Sequence, residues 1–555
     1  MRRRLGLSLL ALAPAIWASA QNLVPADLVL DTRFVTGVNG AVGAEFLPDG
    51  RMVIIRQGGQ LRVRPAGGGN LINAGSIAVD VSSERGLLGV AVDPDFATSN
   101  RIYFYFSASG SPANDRHRVA WATIDPATNI IDTANMTTIV RGLYGPANHN
   151  GGGLAFGPDR NLYIGVGDTG CNCNCAPGQA DNYFATCLTN ANGKILRVDR
   201  DGNIPPTNPL VGVAAVPACG ADPRPENSQT NGCNAPLYQT QTGAPRLDIY
   251  NWGFRNPWRF TFDPINGQLW IGDVGEVTWE EITISTGPGQ HHGWPFREGQ
   301  HGDATSSCQT ATPQATGTTC VEPVFEYPHG NGAGSISGGK FTVDCSWPAP
   351  YQGRYWFSDY TADISKVFSI MPNATRDGVV ANSSTDIITN AEGIVHFANG
   401  PDGALYLVNA NDGAIWRLAP RTPVVCAADA GVSSPDAAPV ANPDAAPGPN
   451  ADAAPAANAD AAPAANPDAT PVAPNDDAGP TDDAAPVNPD AAPVANRDAA
   501  AAVNADAGPT FADAVTGEPE PAGSGCSCGT TSESTALFGA LFVLGLVSLG
   551  RRNKR

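Results

Sequence analysis

One turn-and-strand phrase recurs six times between about residues 28 and 420, and it constrains this chain more than any other feature. FLPDGRMVIIRQGGQLRV starts at Phe46 and VDPDFATSNRIYFYFSAS at Val92. FGPDRNLYIGVGD, FDPINGQLWIGDVG, GRYWFSDYTADISKVFSI and NGPDGALYLVNANDGAIWRL follow. Most carry a Pro-Asp or Gly turn, then a run of alternating apolar residues, and often a second turn and strand. Pro presets φ, while Asp, Asn and Gly tolerate the tight corner. Short strands returning with the same turn chemistry predict a repeat architecture. Six copies over roughly 400 residues match four-stranded blades closed into an all-β, six-bladed β-propeller, a ring that leaves only short sheet edges. No long helical periodicity competes.

The ends of the chain differ from this central region. Residues 1–20, MRRRLGLSLLALAPAIWASA, combine a basic start, a short apolar stretch and a small-residue cleavage site. That is a secretory signal peptide, and it predicts export. The propeller then occupies residues 21–426. Residues 427–522 repeat Ala, Pro, Asp and Asn at a period of eight, as in PDAAPVAN and ADAAPAAN. Such a segment has nothing to bury and is expected to form a disordered, extended stalk, on the order of 300 Å at full extension. Residues 523–555 end in a short hydrophobic segment followed by RRNKR. With Cys526 and Cys528 before it, this tail resembles the myxobacterial C-terminal sorting signal, which implies attachment to the envelope membrane and display at the cell surface.

The formal net charge of −20 argues against nucleic acid as a partner. Most of the acidic excess lies after residue 427, so it says little about the propeller's own ligand. Ten of the twelve cysteines fall within the propeller region. In an exported chain they are expected to pair. Sequence proximity suggests Cys219–Cys233 and Cys308–Cys320 as staples, with Cys345 and Cys426 left over. Cys171, Cys173 and Cys175 form CNCNC, which suits either disulfides or a metal cluster. The sequence carries no signal for oligomeric state.

Chemistry concentrates in residues 148–168, NHNGGGLAFGPDRNLYIGVGD. Leu162, Ile164 and Val166 alternate, which predicts a half-buried strand. His149 precedes it on a glycine-rich loop, where a flat ligand can approach the backbone. A loop histidine on a rigid sheet is a candidate general base, because imidazole exchanges protons near neutral pH. A histidine that only packs the turn is the alternative.

SSERGLLGVAVDPDF (82–96), the NHNGGG segment, GFRNPWRFTFDP (253–264), GDVGEVTWEEI with HHGWPFREG, and YPHG with SISGG together resemble the glucose/sorbosone dehydrogenase family. The resemblance implies a six-bladed propeller that holds pyrroloquinoline quinone (PQQ) and calcium over its axis and oxidises a sugar or polyol hydroxyl. It places His149 as the base and Arg255 as its cationic partner in catalysis. Glu84, Asn148, Arg255 and Asn256 fall at cofactor-facing positions. Asp273, Gly275, Glu280 and Glu281 fall in the calcium-associated loop, with Glu281 the best match for a direct ligand.

Four departures accompany the resemblance. Asn148 stands where family enzymes usually carry Asp, and Glu84 where they carry Gln. GIVHFANGPDG lacks two arginines expected before its turn, and the lysine expected near DYTADIS is absent, Lys366 lying just beyond. The three carboxylates of PQQ need cations, so a non-catalytic propeller that binds glycan or protein stays open beside the dehydrogenase. His291 and His292 are neighbours on an extended segment and should face opposite ways, with His292 packing. His117, His301, His329 and His396 belong to no recognised constellation.

Overall fold

The computed structural model describes residues 24–170, 183–218, 242–302, 320–329 and 334–426. The expected signal peptide, CNCNC, Cys219 with Cys233, Cys308, and the expected stalk and sorting-like tail lie outside these residues. Among the described residues no helix is long and apolar enough to cross a membrane. The only α-helix there is one turn, Phe96–Ser99.

Among the described residues, the strands form two short two-stranded sheets and six four-stranded antiparallel ones, the six arranged as the blades of a propeller. Their innermost strands are Ala41–Phe46, Leu87–Val92, Leu154–Phe156, Pro257–Phe262, Ile336–Phe341 and Ile394–Asn399. The recurring Pro-Asp turn joins the innermost strand of a blade to the second. In the first blade Asp49 accepts the N–H of Arg51 and Gly50 takes φ +87°. In the sixth, Asp402 accepts the N–H of Ala404 and Gly403 takes φ +72°. The carboxylate caps the corner and glycine supplies the left-handed step. The fifth blade is the exception, since a longer loop with Trp347 and Tyr351 replaces the turn.

Six hydrophobic clusters hold the ring. One lies at each blade junction, such as Val53, Ile55 and Leu61 against Val90 and Phe104, or Trp356 and Val367 against Phe397 and Leu407. Each middle strand is therefore packed on both faces. This explains why Leu162–Val166, expected to be half-buried, is buried at all five residues. Alternation reads as one wet face only when a sheet has one.

The ring closes between the chain's two ends. Leu28–Thr36 pairs antiparallel with Ala414–Pro420, so the sixth blade is completed by the N-terminal strand. A disulfide between Cys345 and Cys426 ties the chain after the last strand to the fifth blade's long loop. Sequence proximity left these two cysteines without partners. Cys187 and Cys320 are also disulfide-bonded.

Candidate active site

In an antiparallel blade the start of the innermost strand and the end of the second strand lie on the same rim. His149 and Arg255 precede the innermost strands of the third and fourth blades, and Asp273 ends a second strand. One face of the ring thus collects most of the sequence-predicted site residues.

His149 sits at φ +51°, in the left-handed region. The loop can lie this close to its sheet because glycines line it. A Cβ on Gly167 would stand 2.0 Å from the carbonyl oxygen of His149, and one on Gly151 2.4 Å from that of Gly165. The backbone N–H of His149 donates to Glu84 Oε2 at 2.7 Å. Its ring Nδ1 lies 2.6 Å from Asp168 Oδ1. Asp168 is fully buried, and it also accepts the Gly170 N–H at 2.9 Å and the Trp294 indole N–H at 2.6 Å. A carboxylate surrounded by donors holds the proton on Nδ1 and leaves Nε2 as the basic atom. Sequence reasoning sought the base's carboxylate at position 148 and found Asn148. Asn148 is half-buried and lies 3.4 Å from the Ser83 hydroxyl. Asp168 closes the same quoted segment, VGD, and its position at the end of a strand was the available signal.

Arg255 and Asn256 are fixed by the carboxylate of Asp273, which accepts their backbone N–H groups at 2.9 and 2.7 Å. Asn256 Oδ1 accepts the Gly151 N–H at 3.0 Å, which joins this turn to the His149 loop. The Arg255 carbonyl accepts the Asp168 N–H at 2.8 Å. The guanidinium donates through Nη1 to the carbonyls of Val274 and Gly275 and lies 5.7 Å from the centre of the Trp294 ring. Its Nε is buried without a partner. Trp294 therefore touches both the carboxylate behind the base and the cation beside it.

The four calcium-loop candidates divide. Asp273 and Glu281 are register partners across neighbouring strands and share a face. Burial pushes the Asp273 carboxyl up to about 7. Burial, and then the charge of Asp273, holds Glu281 well above the usual range. Glu281 accepts the Gly299 N–H at 2.9 Å. Glu280 points the other way, because successive strand residues alternate. It pairs with His329 at 2.7 Å and accepts the Ile336 N–H at 2.9 Å. Gly275 keeps its carbonyl in the set, but that oxygen already accepts from Arg255. The alternation that separates His291 from His292 also separates Glu280 from Glu281, so Glu280 lies off the Asp273–Glu281 face, where it accepts the Gly275 N–H at 3.3 Å. Among the described residues, the one group of three ligand types within 4.8 Å is Asp344, Cys345 and Cys426, and its sulfurs are the disulfide.

His329 had no assigned constellation, although YPHG was part of the family resemblance. Burial lowers its basicity, but the Glu280 carboxylate 2.7 Å away outweighs this and raises its pKa. Its Nδ1 is buried without a partner. His291 and His292 are fully packed. His292 stacks on Phe254 at 4.5 Å and meets the Thr283 hydroxyl at 2.8 Å. His117 is buried against Ser107, and His301 pairs with Glu326 at the surface.

A six-bladed propeller carries a carboxylate-held histidine and a guanidinium on one axial face, and the family its sequence matches makes it a propeller oxidoreductase. The family profile of glucose/sorbosone dehydrogenases matches residues 39–218 and 232–417. The chain belongs to that family. It is 25% identical over 410 residues to the aldose sugar dehydrogenase YliI of Escherichia coli, covering 72% of this chain and 93% of that one. It is 26% identical over 260 residues to quinoprotein glucose dehydrogenase B of Acinetobacter calcoaceticus, covering 44% and 47%. The crystal structure of the soluble E. coli aldose sugar dehydrogenase in its apo form superposes with a TM-score of 0.54 at 23% identity. That match covers 71% of this chain and all of that one, and it bears on the fold alone.

Proposed function

We propose that this protein oxidises a CH–OH group of a sugar or polyol, with His149 Nε2 removing the hydroxyl proton. The observation that carries this reading is the Asp168–His149 contact of 2.6 Å next to Arg255. Asp168 keeps Nδ1 protonated and offsets the positive charge that the ring gains when Nε2 accepts a proton. Trp294 shields that carboxylate from water and orients it through its indole N–H. Glu84 holds the backbone of His149, and Asn256 holds Gly151.

PQQ, when bound, supplies the electron-accepting quinone. The unpartnered Nε–H of Arg255 fits a quinone oxygen, where a fixed cation stabilises developing negative charge. Asn256 follows it in the same turn, and Asn148 precedes His149 in the neighbouring loop. Arg255 and His329, with its free Nδ1, are the cationic groups offered to the three carboxylates. The fit therefore favours binding weaker than a full set of arginines and lysines would give. Asp273 and Glu281, two buried acids on one face, are the residues that would hold calcium, because a divalent cation offsets their mutual repulsion.

The same shortage of cations favours a second reading, a propeller that binds glycan without oxidising it. Titration of the purified protein with PQQ in the presence of Ca²⁺, followed by dye-linked oxidation of aldoses and polyols, separates the two. Quinone binding with turnover supports the dehydrogenase. Absence of both across all substrates leaves only the binding propeller. The signal-like residues 1–20 and the sorting-like tail support export and attachment at the cell envelope. Cell fractionation with an antibody to the propeller tests that part, and a cytoplasmic pool alone would remove it.

A further inference from the structure

The axial channel of the ring holds a second charged cluster that the proposed reaction does not use. All six innermost strands line it. Glu45 comes from the first blade, Arg259 from the fourth, Lys340 from the fifth and His396 from the sixth, while the second and third blades add only apolar side chains and glycine backbone. His149 and Arg255 precede their strands, whereas Glu45 and Lys340 sit near the ends of theirs. The cluster therefore occupies the middle and the opposite mouth of the channel.

Lys340 Nζ lies 3.3 Å and His396 Nε2 3.4 Å from Glu45 Oε1. Arg259 crosses the channel and donates through Nη2 to the carbonyls of Val42 and Leu88 at 2.8 and 2.9 Å. It is 5% exposed, and its Nε has no partner. His396 is 8% exposed, donates Nε2–H to the Ala44 carbonyl at 2.9 Å, and has no partner at Nδ1. Burial lowers the basicity of His396 and keeps its ring neutral at neutral pH. Burial also lowers Arg259, to about 9, which leaves it charged. Two cations thus face one carboxylate. Lys340 and Glu45 are partly exposed, at 22% and 20%, while the Arg259 guanidinium is buried, and an unbalanced positive charge beside it attracts a counter-anion.

We propose that the channel binds one small monovalent anion of the chloride class, held by the Nε–H of Arg259 and the ammonium of Lys340. The ion supplies the missing charge and fills the orphaned donor. Because Arg259 already links the first, second and fourth blades, an ion on it stabilises the ring as a whole.

The test is the melting temperature of the full chain in sodium chloride against sodium gluconate at matched ionic strength. Chloride above its dissociation constant should raise it by about 2 °C per tenfold in concentration, and gluconate should not. Charge variants keep the test sharp even if Arg259 cannot be replaced without unfolding. Lys340→Met removes the surplus charge and should abolish the chloride response. Glu45→Gln doubles the surplus and should enlarge it. Crystals grown in bromide should show an anomalous peak beside Arg259 Nε. Equal melting in the two salts, a chloride response that survives Lys340→Met, or a bromide map empty at that point would each overturn the proposal.

Discussion

Asp168 holds His149 by a 2.6 Å contact to Nδ1, and every other partner of that carboxylate is also a donor. An amide cannot satisfy the same set. In Asp168→Asn, one NH₂ must face either the indole of Trp294 or the imidazole of His149, which breaks the anchor or turns the tautomer. Turnover is expected to fall by roughly two to four orders of magnitude, the usual share of an oriented base. His149→Ala should fall as far, with PQQ affinity changed only a few-fold. Single-turnover dye reduction and quinone titration measure the two separately. Turnover that survives His149→Ala would refute the assignment of the base.

Arg255→Ala should weaken PQQ binding as well as turnover, because the guanidinium holds the acceptor and not the proton. Arg255→Lys restores charge but not the planar donor, so it should recover part of the affinity and less of the rate. The readout is the dissociation constant beside kcat. Unchanged affinity in Arg255→Ala would place the cofactor elsewhere.

Ca²⁺ should stabilise the propeller through Asp273 and Glu281. Chelation is expected to lower the melting temperature of the parent and to do little in Glu281→Gln. Glu280→Gln, whose side chain faces His329, should keep the chelator response. Equal sensitivity in the parent and Glu281→Gln would sink this pairing.

His291 and His292 make stability fall in acid. Burial pushes both imidazoles down to about 3, against about 6.5 in an unfolded chain. The unfolded state therefore binds more protons between these values. Stability is complete above pH 6.5 and is lost as pH falls toward 3. Each histidine contributes a slope of about 1.4 kcal/mol per pH unit within that window. His292→Phe keeps the stack on Phe254 and removes one proton from the balance. Denaturant midpoints between pH 4 and 7 should show a shallower slope in the variant, and an identical slope would count against a buried neutral His292.

The Cys345–Cys426 bridge closes a loop of 81 residues that spans the seam of the ring. Cys426→Ser should cost about 2–4 kcal/mol, chiefly by freeing the unfolded chain. Chemical denaturation of the oxidised parent and the variant measures it. A loss under about 0.5 kcal/mol would mean that the pairing of Leu28–Thr36 with Ala414–Pro420 closes the ring unaided.

What the sequence determined by itself was the architecture and the place of the site along the chain. The Pro-Asp turns and the alternation after them act over a few residues, so six copies announced six blades before any contact was known. The glycine loop of His149 and the turn of Arg255 and Asn256 were legible for the same reason, since each occupies a short continuous stretch. The partnerships were decided only in three dimensions. Asp168 reaches His149 because the loop folds back over its own strand, and Trp294 joins them from 126 residues further on. Glu280 and Glu281 are neighbours in the chain, yet strand alternation sends one to His329 and the other to Asp273. The charges of Glu45, Arg259, Lys340 and His396 meet because ring closure brings four distant strands to one axis. Local turn chemistry is written in neighbouring residues, whereas register and closure depend on how distant strands pack, and those set which charges face each other.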